Sequence, residues 1–339
     1  MSYANAAMEV EASIHTDPIF FPLNHGHRSS RLVIGCVLVR RKIGEGGMCS
    51  VYLGHHLRLN TSVAIKILKR HGLDSVREFL REARLMAGFD HKNLVRIFDV
   101  NREHVRFNRY LYYIVMEYVE GHTAFELLHK SLKERGRPIA PLPALEIVAS
   151  AADALSVVHA QGIVHRDMKP ENIVIRKSDG EVKVLDLGLA IETKNIERER
   201  ERCGTIMGTM GFVAPEILAG EVATPAADVY SLGVTLYELL SGELPFGKVD
   251  DGYARRQMEN EAPDLRSRVP RIPEVISELV GRCLSTYPSR RFRDCSELAA
   301  AAREAYSKAE RELSWESLGA VAEAGGESRA ANAMPSCAG

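Results

Sequence analysis

His165-Arg166-Asp167-Met168-Lys169-Pro170-Glu171-Asn172 sets two carboxylates, two cations and an amide at short fixed spacings. Downstream, Asp186-Leu187-Gly188 adds a further carboxylate at the end of Val182-Lys183-Val184-Leu185, an alternating apolar run that reads as a strand. A phosphoryl group in transfer leaves little covalent work for a protein, so catalysis reduces to placing the nucleophile and neutralising charge on the phosphate oxygens. In that chemistry Asp167 accepts the proton of an attacking hydroxyl and Lys169 sits on the transferred phosphate. Asn172 and Asp186 offer hard oxygen ligands to magnesium, which keeps several waters and needs few protein ligands. Taken singly, a loop Asp or Asn is more often a cap or an Asx turn. The ordered set carries the reading.

Further parts appear upstream in the same order. Val37–Ile43 has strand character, Gly44-Glu45-Gly46-Gly47-Met48-Cys49-Ser50-Val51 turns, and Tyr52-Leu53 begins a second strand. Glycines in such a hairpin let backbone approach phosphates closely. One strand later Val63-Ala64-Ile65-Lys66 ends an apolar stretch in a lysine. Phe79, Leu80, Ala83 and Met86 then recur at helical spacing, with Asp74 or Ser75 suited to cap that helix.

This set resembles the eukaryotic-type, or Hanks-type, protein kinases, and the Gly-Glu-Gly-Gly-Met wording is most similar to their bacterial branch. The resemblance covers roughly residues 37 to 305. It implies an α+β, two-lobed protein kinase fold: a small, mainly β N-lobe with one key helix, and a larger, mainly α C-lobe. By resemblance, Ile43 to Val51 cover the ATP phosphates, Lys66 reaches the α- and β-phosphates as a point charge, and Glu82 pairs with Lys66. Leu111–Met116 ends in a hinge at about 117–121, with Met116 as gatekeeper and the backbone of Glu117 and Val119 on the adenine edge. Val51, Ala64 and Val174 enclose the base in an apolar slot. Asn172 and Asp186 hold magnesium, with manganese as an alternative. Gly208–Glu216 resembles the substrate-facing loop, Asp228 supports the catalytic loop from below, and Arg291 pairs with Glu216. Lys169 and Gly208-Thr209 point to serine or threonine acceptors, with Thr209 tied to Lys169 and Asp167.

Departures from the family pattern are few. Cys49 replaces the third glycine, which is expected to narrow the loop's backbone freedom, push a side chain toward the phosphates and weaken nucleotide binding. Leu187 takes the place of the usual phenylalanine, with Met86, Ile97 and His165 as expected stacking partners, and Phe212 stands where tyrosine is common. Arg166 beside Asp167 implies an activation segment ordered by phosphate, with Thr205 the first candidate acceptor and Thr193 the second. In Glu197–Arg202 the charges alternate and read as a solvated stretch.

The domain is expected over 34–305, with the N-lobe at about 34–116 and the C-lobe at about 122–305. Residues 1–33 read as a poorly ordered arm and 306–339 as a helix extension and a disordered tail. A chain of 339 residues with 45% hydrophobic content can fill two cores, and a formal net charge of −1 points to no nucleic acid. The six cysteines lack metal or disulfide spacing, no uninterrupted apolar stretch approaches the roughly 20 residues that span a bilayer, and no signal-peptide pattern is present, so a cytoplasmic protein without a membrane span is expected. The implied activity is transfer of the γ-phosphoryl of Mg-ATP to a serine or threonine of a protein substrate, with self-phosphorylation in trans. The alternatives are a kinase-fold scaffold without catalysis and a small-molecule phosphotransferase. Lys66, Asp167 and Asp186 argue against the first, and the Gly208–Glu216 loop against the second.

Overall fold

Alternating apolar residues from Val33 to Glu117 build one antiparallel sheet. In the computed structural model, which describes residues 32–69, 72–106, 109–188, 190–192 and 208–330, it has the order β1-β2-β3-β4-β6-β5. Thr193, Thr205, the Glu197–Arg202 run and the N-terminal arm to residue 31 lie outside the described residues. The strands are β1 (Val33–Ile34), β2 (Val37–Glu45), β3 (Cys49–His56), β4 (Thr61–Leu68), β5 (Ile97–Arg106) and β6 (Arg109–Glu117). One face packs Val37, Val39, Tyr52, Val63, Ile65, Ile67 and Val115 into a core. The glycine-rich turn is shorter than the sequence suggests, because Gly44 pairs with Val51 and Glu45 with Ser50. Strand pairing runs through backbone groups and does not need the side chains that a hydrophobicity pattern reads.

Helix α1 (Leu73–Ala87) buries Phe79, Glu82, Ala83 and Met86, a single stripe at helical spacing. Its N-cap is Gly72, without a side-chain cap, and not Asp74 or Ser75. Asp74 instead sits in the first turn, where its charge complements the helix dipole.

The chain divides into two compact units, Met1–Gly121 with Arg176–Ala190, and His122–Ile175 with Ile191–Gly339. The expected N-lobe (about 34–116) and C-lobe (about 122–305) are each continuous in sequence, whereas Arg176–Ala190 groups with the first unit. The reason is hydrogen bonding: Val184 N–H donates to Asn93 O at 2.8 Å, Val95 N–H to Val184 O at 3.0 Å, and Asn93 Nδ2 to Val182 O at 2.7 Å. Strand β10 (Val182–Val184) therefore belongs with the first unit, after β7 (Gly121–Thr123), β8 (Ile163–Val164) and β9 (Ile173–Arg176).

The second unit is mainly helical. Thr123 caps α2 (Ala124–Arg135) through a capping box with Glu126, at 3.0 and 2.9 Å. The central helix α3 (Pro141–Ala160) packs on α5 (Pro225–Ser241) and α8 (Cys295–Ala330). By length and mean hydropathy α3 is able to cross a bilayer, yet Leu145, Val148, Ala152 and Leu155 are buried in the second unit. Helix α5 is buried on almost every side, and at Gly233 an added Cβ would lie 2.5 Å from Cys283 Cβ of α7 (Glu274–Cys283). Short α4 (Pro215–Leu218) and α6 (Tyr253–Glu259), with the strand β11 (Ile191–Glu192) paired to β8, complete the unit. Helix α8 runs to Ala330, into the 306–339 stretch expected as a helix extension and tail, and continues through Gly319, Gly325 and Gly326 although glycine is a poor helix former.

Candidate active site

In the first unit, β4 ends by pointing Lys66 at two carboxylates. Lys66 Nζ lies 2.5 Å from Glu82 Oε1 and 2.9 Å from Asp186 Oδ2. Glu82 reaches it because it belongs to the buried stripe of α1; Asp186 reaches it because β10 is hydrogen-bonded beside Asn93–Val95. Burial would lower the Lys66 pKa, but the two carboxylates overcome it and keep the ammonium charged. Burial opposes the charge of Asp186 as well, and Lys66 overrides it, holding that carboxyl well below the usual range. Burial and the neighbouring Asp186 push Glu82 up. Gly188 N–H donates to Asp186 Oδ1 at 2.8 Å, and Leu187 is buried.

The glycine-rich turn leaves room above its backbone, since a Cβ at Gly47 would meet nothing within 4 Å and one at Gly46 only Cys49 O at 3.8 Å. Gly46 N–H donates to Cys49 O at 2.9 Å. Glu45 spans from β2 to Lys69 at 2.9 Å and also binds Lys42 at 2.8 Å; these bonds, Lys42 first, lower its carboxyl to about 2. Cys49 departs from expectation. It opens β3 opposite Leu68, 8% exposed, and packs with Leu68, Phe79, Ala83 and Ile114. Burial pushes its thiol up to about 11. The side chain is a core residue at a place where no left-handed backbone is required, so the replaced glycine does not strain the turn.

Other residues expected around a nucleotide occupy strands or their ends. Ile43 and Ser50 lie in β2 and β3, Ile43 37% exposed and Ser50 buried; Met48, in the turn, is packed against the Cys49 cluster. Val51 pairs with Lys66, Leu53 with Ala64, and Ala64 with Met116. Glu117 closes β6, donates its N–H to Arg96 O at 2.8 Å, and precedes the half-buried Val119. Val174 is buried in β9 of the second unit.

The second unit assembles the residues expected to form the catalytic loop. Asp167 Oδ1 accepts from Thr209 N–H and Thr209 Oγ1, both at 3.0 Å. Lys169 Nζ donates to Thr209 Oγ1 at 2.5 Å and stands 3.2 Å from Asp167 Oδ2. Asn172 Nδ2 donates to Asp167 O at 2.7 Å, so its amine end is engaged while the oxygen end is the one a hard cation takes. Gly208, at φ +118°, is required beside Thr209, because a Cβ there would lie 3.0 Å from both Arg166 O and Val213.

Asp228 holds this loop at its backbone. Its Oδ2 accepts from His165 N–H at 2.8 Å and its Oδ1 from Arg166 N–H at 2.9 Å. Arg166 has φ +69°, a strained value for a residue with a side chain, and these bonds secure it. Burial would raise the Asp228 carboxyl, but a bond from His159 outweighs it and lowers the pKa. The Glu216–Arg291 pair is bidentate, both contacts 2.8 Å, and Arg291 also donates to the carbonyls of Ala226, Ser285 and Thr286.

Sequence reasoning passed over His159. Its Nε2 lies 2.8 Å from Asp228 Oδ2, and its Nδ1 accepts from Cys295 N–H at 3.3 Å, which assigns the proton to Nε2. The only local signal was a histidine at the end of an apolar helix shortly before the His165 motif. Also missed was Glu238 on α5, whose Oε2, like that of Glu171, is buried with no hydrogen-bond partner among the described residues. Burial, then the charge of Glu171, pushes the Glu238 carboxyl up to about 7.

Comparison with known proteins places this geometry. The protein kinase domain model matches residues 37–303. PrkC, a serine/threonine-protein kinase of Bacillus subtilis, is 33% identical over 278 residues, covering 81% of this chain and 41% of that protein. PknB of Mycolicibacterium smegmatis, also a serine/threonine-protein kinase, is 36% identical over 282 residues, covering 81% of this chain and 43% of that protein. The chain thus spans about two fifths of the length of these curated relatives. A crystal structure of the Mycobacterium tuberculosis PknI kinase domain, a double mutant, aligns with TM-score 0.62 at 24% identity, over 83% of this chain and all of that one, and shares the fold. With a mainly β unit carrying Lys66 and Asp186 and a mainly helical unit carrying Asp167, Lys169 and Asn172, the chain has the two-lobed α+β fold and belongs to the protein kinase family, in the bacterial branch of the Hanks type.

Proposed function

We propose that this chain is the catalytic domain of a serine/threonine protein kinase that moves the γ-phosphoryl of ATP to a protein hydroxyl. The observation that carries the reading is the Asp167–Lys169–Thr209 arrangement, in which one threonine orients both the carboxylate and the ammonium. Asp167 takes the proton of the acceptor hydroxyl, and Lys169 steadies the transferring oxygens. Lys66, held in register by Glu82, contacts the α- and β-phosphates, and the open backbone at Gly46-Gly47 approaches them. The oxygen donors Asn172 and Asp186 suit magnesium, or manganese in its place, which would neutralise charge on the phosphates. Met116, the backbone of Glu117 and Val119, and the apolar Val51, Ala64 and Val174 receive the base.

Serine or threonine is the acceptor on the strength of Lys169 and Thr209; protein substrates follow from the family, and we infer that the chain itself, in trans, is one of them. Free Cys36, Cys49, Cys283 and Cys295 fit a reducing, cytoplasmic setting. The experiment compares wild type with Asp167→Asn, using labelled ATP, magnesium and a generic protein substrate. Incorporation should fall by about 10²–10⁴-fold, the contribution of a positioned base, with the thermal midpoint unchanged. Equal incorporation by both proteins overturns the assignment.

A further inference from the structure

Glu117 is fixed by a ring of charges within the first unit. Its Oε1 lies 2.8 Å from Arg176 Nη2 and its Oε2 3.3 Å from Lys183 Nζ. Arg176 Nη1 is 2.6 Å from Glu181 Oε2, and that same oxygen is 3.5 Å from Lys183 Nζ, so four side chains alternate in sign and close on themselves. Asp179 adds a further contact to Arg176 at 3.2 Å. The Lys183 side chain is only 9% exposed and Glu117 21%, so solvent screening is partial.

The cations sit on a rigid mount. Arg176 N–H donates to Glu181 O and Gly180 N–H to Arg176 O, both at 2.9 Å, with Gly180 at φ +76° making the turn. Next to it Lys177 N–H donates to Glu120 O at 2.9 Å, so this turn grips both the Glu117 side chain and the backbone three residues on. On another side a cavity of about 350 Å³, lined among others by His91, Arg96 and Phe98, opens against Glu117 and Lys183. There Arg96 N–H donates to Glu117 Oε2 at 3.3 Å, so this amide and the ring together set where the carboxylate lies.

We propose that Arg176 and Lys183 are positioning residues for nucleotide binding, acting through the Glu117 side chain to pre-organise the backbone of residues 117–119. The inference rests on the reading that this backbone meets the adenine edge. A fixed backbone does not have to be ordered when ligand arrives, so loosening it weakens binding more than chemistry.

The test measures kcat and KM for ATP with a generic protein substrate in Arg176→Met, Lys183→Met, the double variant, Lys183→Arg and Val119→Pro, with thermal unfolding of each. Each Met variant should raise the KM for ATP roughly three- to tenfold, the range of coupling within one charge network, with kcat held within about twofold. The double variant should exceed the larger single effect by little, and Lys183→Arg should return KM toward wild type. Val119→Pro, which removes a backbone N–H, tests the underlying reading separately. An unchanged KM there removes that reading and the proposal with it. A raised KM there, with unchanged KM or a kcat-only loss in the Met variants, overturns the ring's role alone.

Discussion

Two side chains show how far a residue's neighbours decide its meaning. Cys49 occupies a glycine position of the glycine-rich turn, but the structure sets it among Leu68, Phe79, Ala83 and Ile114. Restoring the family residue with Cys49→Gly should therefore cost about 1–3 kcal/mol through the space left in the core and the added backbone freedom, without lowering the KM for ATP. Urea denaturation and ATP kinetics check both halves. With its thiol pushed up to about 11, Cys49 should also alkylate slowly at neutral pH. Glu238 gives a pH prediction. Its carboxyl is raised from 4.5 to about 7, so between those values the folded protein holds a proton that the unfolded chain has lost. Stability is then fully present below the lower value, falls as pH rises, and has lost this contribution above the higher one. Glu238→Gln keeps the shape without the charge. Its denaturation free energy should exceed wild type by about 1–3 kcal/mol at pH 8, discounted for partial exposure, with the gap narrowing toward pH 5. A gap that is constant with pH contradicts this. Lys169 and Asn172 were legible from short spacing to Asp167, whereas nothing local marked Glu238 as unpaired.

At the scale of elements, close approach and buried charge set the largest effects. Helices α5 and α7 meet where Gly233 faces Cys283, and a Cβ at 2.5 Å cannot be accommodated without moving one of them. Gly233→Ala should destabilise by about 1–3 kcal/mol, the usual range for overpacking, although alanine is the better helix former. A midpoint shift in thermal unfolding measures it; a stabilised variant would show that the helices separate freely. The Glu216–Arg291 pair joins α4 to the segment before α8, with the buried Arg291 side chain bonded to carbonyls and the carboxylate and lying 4.8 Å over the Tyr230 ring. Periodicity exposed α1 and α5 in the sequence because a buried stripe, or burial all round, is written in consecutive residues. It misplaced the start of α1 and the ends of β2 and β3, where a glycine caps and backbone alone pairs.

For the whole molecule, the decisive feature is that Arg176–Ala190 returns to the first unit. A fragment ending at Gly121 leaves Asn93 and Val95 without their Val184 bonds and Lys66 without Asp186. Such a fragment should show little cooperative unfolding by circular dichroism, while the same fragment with 176–190 joined by a flexible linker should recover it. Equal cooperativity in both would deny the segment its structural part. The sequence by itself determined the kind of chemistry and the fold class, because the motif residues around Gly44, Lys66, Asp167 and Asp186 lie in short runs whose spacing does not depend on the rest of the chain. Only the tertiary structure decided that Lys66 balances two carboxylates, that Asp228 is shared by His159 and two backbone amides, and that Glu117 closes a ring with Arg176, Glu181 and Lys183. Those contacts join residues far apart in the chain, and their energies depend on burial and partner charge, quantities that exist only once the chain has folded.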